Sequence, residues 1–292
     1  MPEGNENQKP AEVIAFLSPW RIFAIEAFLF CLTLGLGIAA AFKINKILEI
    51  RKIAPPEISF WQFVSYFLLA TLIILLIFRF LKFQKQKRLI FKTLFLLATF
   101  LGGLLFLEPW LSEPVSLILI IFLNFWWWKA PSVLNQDILM ILGMAGVGGI
   151  LGLSLNPEIV AGLLIIFSVY DFIAVYKTKH MVKIAKEMIE QKAILALVIP
   201  PNVSGLRASL GEIKPGGKFL ILGGGDIVFP LLFSVSLIPS GIFNSLIIAI
   251  FSLIGLFIGF YFFSKQKVRQ PIPALPPIAL FSIIGYLITK LI

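Results

Sequence analysis

Nine apolar runs divide this chain of 292 residues, and each is long enough, or nearly so, to cross a bilayer as a helix. They cover residues 20–42, 59–81, 90–107, 114–130, 138–154, 158–176, 219–238, 241–263 and 273–291. About 20 apolar residues in helical conformation match the hydrocarbon thickness, and shorter runs are tolerated. Proline, glycine or charge punctuates most of the gaps, as at Pro55-Pro56, Glu108-Pro109, Asn156-Pro157 and Pro239-Ser240-Gly241. Composition agrees: 59% of residues are hydrophobic, 14% are charged, and the mean hydropathy is +0.98. A soluble protein needs a more polar surface, so the chain is expected to be an integral membrane protein. The expected fold is all-α, a polytopic bundle of nine transmembrane helices in a single membrane domain. Residues 1–19 form a polar leading segment, 20–176 the first six helices, 177–218 the one long loop, and 219–292 the last three helices.

The net charge of +10 does not call for nucleic acid. In so apolar a chain, basic loops held on one side of a bilayer account for it. With the N-terminus inside, 20 of the 25 Lys and Arg residues fall on the cytoplasmic side and five outside. The expected orientation is therefore N-terminus in the cytoplasm and C-terminus outside. The run Trp126-Trp127-Trp128-Lys129 then falls at the cytoplasmic interface, where aromatic rings prefer to lie. No cleavable signal pattern precedes the first span, so that helix is expected to stay. Cys31 is the single cysteine and lies in an apolar run, which rules out a disulfide framework. In the fifth run Gly148 and Gly152, four residues apart, suit close helix packing in lipid. Within the long loop, "KTKHMVKIAKEMIEQK" reads as a basic helix on the membrane surface. The following "AILALVIPP" is apolar but too short to span; it is either re-entrant or packed on the protein.

An ionisable group inside a membrane helix is costly and is a functional candidate by default. Glu108, Glu113, Asp137 and Glu158 lie at the ends of runs, where they read as interfacial charges near water. Glu26, Asp171 and Asp226 remain inside spans. Asp171 lies five residues from the cytoplasmic end of the sixth run and Asp226 seven residues into the seventh. At a rise of 1.5 Å per residue both sit on the order of 8–11 Å below the cytoplasmic surface. Two neighbouring carboxyls cannot both ionise cheaply, so one keeps its proton while the other stays charged. That makes an acid and a base able to activate water against an amide carbonyl. A proton relay in an ion- or proton-coupled transporter uses the same pair, so pairing alone does not select peptide hydrolysis.

The backbone around Asp226 is weakened on both sides. Gly223, Gly224 and Gly225 loosen the helix start and admit another chain closely. Pro230 lacks the N–H that would bond the carbonyl of residue 226. In lipid this is tolerable only where water or another chain supplies partners. Near the start of the ninth run, "QPIPALPPIAL" carries Pro271, Pro273, Pro276 and Pro277, so 271–277 is not expected to be regular helix. An irregular strand beside two carboxylates suits main-chain docking of an extended peptide.

Three short motifs now stand in order on the right runs: Tyr170-Asp171, Gly223-Gly224-Gly225-Asp226, and Pro273-Ala274-Leu275. Together they resemble the YD, GxGD and PAL signatures of the presenilin and signal-peptide-peptidase family of intramembrane aspartyl proteases. The resemblance extends over essentially all the spans, and the compact loops are similar to those of archaeal presenilin homologues. It implies an aspartic endopeptidase that hydrolyses peptide bonds in transmembrane segments, with Asp171 and Asp226 as the catalytic dyad. Tyr170 and the three glycines would shape the site, and Pro273, Ala274 and Leu275 would position substrate. The implied partners are transmembrane peptide substrates and membrane lipid, without nucleic acid, cofactor or metal; accessory subunits are not required and a homo-oligomer is left open. The charge asymmetry favours the presenilin orientation over the inverted one of signal peptide peptidases, in an archaeal cell membrane. Gly224 departs from the family, which commonly has a larger apolar residue there, and this bears on substrate preference. A zinc protease would need H-E-x-x-H, whereas His180 is the one histidine and lies in the basic loop.

Overall fold

The computed structural model describes residues 19–80, 84–266 and 270–291. The polar leading segment up to residue 18, Lys82, Lys267 and Arg269, and the side chains of Arg79, Lys85, Lys87 and His180 lie outside what is described.

Each of the nine apolar runs contains a helix. They are α1 (Pro19–Arg51), α2 (Phe60–Phe80), α3 (Gln84–Leu107), α4 (Glu113–Lys129), α5 (Val133–Leu153), α6 (Pro157–Phe172), α8 (Gly224–Ser236), α9 (Ile242–Ser264) and α10 (Leu275–Thr289), with α7 (His180–Gln191) in the long loop. Among the described residues, five helices are long and apolar enough to cross a membrane: 19–51, 88–107, 133–153, 157–177 and 242–264. Shorter apolar helices occupy 60–73, 224–240 and 275–289. The punctuation signals act as helix starts. Ser132 and Asn135 form a reciprocal capping box on α5, and Asn156-Pro157 opens α6. Gly241, at φ +126°, makes the turn into α9 in a conformation that a side chain would strain.

The bundle is built around α5, whose apolar window is 61% buried against 28% for that of α9. Small residues set the approach distances. A methyl on Gly146 would meet the Gly102 carbonyl oxygen of α3 at 1.9 Å. Leu231 of α8 fills the space left by both Gly37 and Gly148, and Val235 of α8 fills that left by Gly152. The Gly148–Gly152 spacing is thus the seat of α8, the helix that carries Asp226. A second contact of this kind joins α9 to α10, where Gly255 lies against the backbone of Pro277 and Ile278.

Four features go beyond or against expectation. First, "AILALVIPP" takes the second of its two alternatives and packs on the protein, in a form hydropathy did not give: Ala196–Ile199 form a fully buried strand, β1. It pairs antiparallel with β2 (Leu220–Gly223), with Ala196 opposite Gly223 and Ile199 opposite Leu220. The seventh run is therefore strand first and helix second, and α8 begins at Gly224. Second, Pro276 and Pro277 lie in the first turn of α10. The N–H groups of a first turn have no intrahelical partner, so proline is tolerated there, and only the segment before Leu275 is irregular. Third, Trp127 is fully buried, whereas Trp126 and Trp128 stay exposed at the end of α4. Fourth, Asp137 is 2% exposed, not an interfacial charge. The helix read on the membrane surface is α7; it exposes Lys183 and Lys186 while Ile189 enters the core of the bundle.

Candidate active site

Asp171 lies one residue before the C-terminal end of α6, which runs on into a π-helical turn over Ile173–Lys177. Such turns in helices are frequent at functional sites. Its carboxylate is 6% exposed, and Oδ2 accepts the backbone N–H of Leu275 at 3.3 Å. The proline segment therefore reaches Asp171 through its main chain. The Leu275 side chain turns away into a core cluster with Val160, Leu164, Leu232 and Ala279.

Asp226 is the third residue of α8. The residue is half-buried, and the strand-to-helix transition at Gly223-Gly224 aims its carboxylate back at its own chain, where the N–H of Gly223 bonds to it. A carboxylate in the first turn of a helix is also favoured by the helix dipole. Because Leu220–Gly223 are extended, the depth of Asp226 follows from the strand and not from helical rise. Asp171 is an electrostatic neighbour of Asp226. Glu26, buried on α1, is in electrostatic contact with Asp226 as well.

The three glycines do different work. A methyl on Gly223 would lie 2.9 Å from Asp226 Oδ2, so glycine here leaves room for the carboxylate. One on Gly224 would lie 3.1 Å from the Leu195 carbonyl oxygen, with Met140 and Met144 of α5 next nearest at 3.5 and 3.7 Å. The tight neighbour is the Leu195 carbonyl, while the two methionine ends stand at ordinary contact distance. Gly225 is exposed, and a methyl there would make only ordinary contact with Phe229. Tyr170, on α6, is 51% exposed, while Pro273 is buried and Ala274 half-buried before α10.

The structure adds a polar anchor behind the site. Asp137 Oδ1 accepts the backbone N–H of Val198 at 2.9 Å. The adjacent Gln136 donates to the Ile194 carbonyl and accepts from Trp127 Nε1. Since the Val198 amide is turned toward α5, it does not serve the β1–β2 ladder, and Asp137 closes the edge of β1 that faces away from β2. The signal for this anchor was present: Asn135-Gln136-Asp137 opens an otherwise apolar helix. Its meaning depended on β1, which hydropathy alone did not reveal.

A helical membrane bundle that brings two buried or half-buried carboxylates together, one held by a main-chain N–H of a proline segment and the other set at a strand-to-helix corner, has the parts of an aspartyl protease. The family described as "Signal-peptide peptidase, presenilin aspartyl protease" matches residues 25–292, and the chain belongs to it. Two solved structures are similar. One, described as a presenilin family intramembrane aspartate protease in C222 space group, has a TM-score of 0.61 and 23% identity, over 93% of this chain and 98% of that one. The other, the same description in P2 space group, has a TM-score of 0.56 and 25% identity, over 90% of this chain and 96% of that one. Among curated proteins no match is found. The chain is an integral membrane protein with intramembrane aspartyl protease function.

Proposed function

We propose that Asp171 and Asp226 are the catalytic dyad and that the protein cuts transmembrane segments after local unwinding, with all nine helices spanning the bilayer and the N-terminus in the cytoplasm. The observation that carries this reading is the convergence of three motifs: Asp226 at the β2–α8 corner, Asp171 in electrostatic contact with it, and Leu275 bonded to Asp171. One aspartate takes a proton from water as the water attacks the amide carbon, and the other gives a proton to the carbonyl oxygen. The tetrahedral intermediate then collapses as a proton passes to the leaving nitrogen, so the pair can exchange its protonation states.

The substrate presents a difficulty of its own, because a transmembrane helix hides its amides in internal hydrogen bonds. An extended stretch needs replacement partners, since unpaired backbone groups in lipid are costly. With β1 covered by Asp137, the second edge of β2 is the one left for strand addition, and it faces the irregular segment ahead of Leu275. Tyr170, Gly223 to Gly225 and Pro273 to Leu275 border this slot in the proposed arrangement. The orientation rests on the asymmetry of 20 against five Lys and Arg, and the enzyme is taken to act without accessory subunits.

A peptide isostere bearing a hydroxyl in place of the scissile carbonyl tests the dyad. It should bind wild type and compete with substrate, and Asp171→Asn or Asp226→Asn should weaken it strongly. Failure of the isostere to bind, absence of any peptide cleavage, and an ion flux in liposomes that needs both aspartates would instead make the protein a carrier.

A further inference from the structure

A cavity of about 150 Å³ lies beside the dyad, between β2 and the proline segment, and one of its walls carries a group with no part in the chemistry above. Ile221 of β2, Leu256 and Gly259 of α9, and Pro271 and Ala274 of the proline segment help to line it, with Glu26 of α1 on the remaining side. Among the described residues that line it, the other side chains are apolar and Glu26 alone brings a carboxyl. Glu26 is 4% exposed, and among the described residues its Oε2 has no hydrogen-bond partner. Buried polar atoms are nearly always paired, so an orphaned oxygen on the wall of a cavity is a vacant acceptor awaiting a donor. The walls identify where the donor comes from: β2 leads directly into Asp226, and the proline segment leads directly into the N–H that holds Asp171.

We propose, on the protease reading given above, that this cavity is a substrate subsite for a short side chain carrying a hydroxyl or carboxamide, and that Glu26 is the specificity-determining residue that binds it. The chemistry fits both forms of Glu26. An ionised carboxylate accepts from a hydroxyl or an amide N–H, and a protonated carboxyl both donates to and accepts from them. A serine, threonine, asparagine or glutamine side chain suits the volume, whereas an indole does not. An apolar side chain of the same shape leaves Glu26 unpaired in a now water-free cavity. Sites built to bond a polar substrate group reject the apolar analogue for this reason. Thr and Val are the natural comparison, because they share shape and differ in the hydroxyl.

The test uses the full-length enzyme in lipid nanodiscs with transmembrane peptides in which each position flanking the cut carries Thr or Val in turn. Rates and cut sites are read by mass spectrometry. Wild type should prefer Thr over Val at one fixed position by about tenfold. Glu26→Met, unbranched and similar in size, should bring that ratio to about one, while Glu26→Gln, which still donates and accepts, should keep Thr ahead. If Glu26→Met does not fold, Leu256→Phe narrows the cavity from α9 with Glu26 in place and should erase the preference equally. A wild type that cuts without preferring Thr anywhere, or a preference that survives in a folded Glu26→Met or Leu256→Phe protein, overturns the subsite and leaves the protease standing. A wild type that cuts no transmembrane peptide at all overturns both.

Discussion

Asp137 never reaches the reacting atoms in this account, yet its removal should cost activity. Two effects of opposite sign meet at this residue. Asp137→Ala takes away the acceptor of the Val198 N–H and leaves a buried amide unpaired, at about 1–3 kcal/mol. The same change removes Oδ2, a buried oxygen with no partner among the described residues, and so relieves a cost of its own. The effect on global stability should accordingly be small, within about 1–2 kcal/mol of wild type. The effect on the site is not offset. Among the described bonds, the one from Gln136 to Ile194, just ahead of β1, is then left as the α5 side-chain anchor, and β2 is paired with β1. A bias of about 1.4 kcal/mol toward a displaced strand lowers the competent population up to tenfold. Asp137→Ala should therefore cut about tenfold more slowly, while Asp137→Asn, which keeps an acceptor oxygen for Val198, should stay within about twofold to threefold. Initial rates on a transmembrane peptide give the first quantity. Thermal unfolding followed by tryptophan fluorescence gives the second, with Trp127, bonded to Gln136, as the local reporter. An alanine variant as active as wild type, or an asparagine variant as damaged as alanine, would refute the anchoring argument.

Other outcomes follow from the same geometry. Gly223→Ala should lower cleavage about tenfold to a hundredfold by pushing a methyl toward Asp226 Oδ2, and Gly225→Ala should lose at least tenfold less; steady-state kinetics of the two variants compares them. Gly146→Ala, with no room beside the Gly102 carbonyl, should destabilise the fold by about 1–3 kcal/mol or more in a denaturant titration. Leu275→Ala should cost about 2–5 kcal/mol of stability, because the side chain is core, while the N–H to Asp171 is retained; Leu275→Arg should therefore unfold the protein as well as block cleavage. In a Cys31→Ser background, a cysteine at exposed Lys179 should be labelled only from the cytoplasm and one at exposed Pro239 only from outside; the reverse pattern would give the inverted orientation.

What was legible in the sequence was what lipid imposes. Long apolar runs became helices because an isolated backbone in hydrocarbon has no other partners. Gly148 and Gly152 announced a packing face, and Leu231 and Val235 occupy it. The aspartates stood out because charge inside apolar runs is rare. The parts that stayed hidden depend on contacts distant in sequence. β1 and β2 are 20 residues apart and continuously apolar, and their pairing is set by α5 through Asp137 and Gln136. A carboxylate at a helix end looks solvated until a strand is found lying over it. Pro276 and Pro277 read as helix breakers only because the start of α10 is not visible from composition. Glu26 was recognisable as a buried acid, but the cavity beside it is made by three other elements.

The central claim is that Asp171 and Asp226 act as one unit, and the measurement that bears on it most directly is cleavage of a transmembrane peptide by purified protein in liposomes, with products identified by mass spectrometry. Wild type should cut within the transmembrane segment. Asp171→Asn and Asp226→Asn should each abolish cleavage while remaining folded, and the double variant should be little worse than either, as expected of residues that share one function. Substantial cleavage by a well-folded Asp171→Asn or Asp226→Asn protein would contradict the dyad.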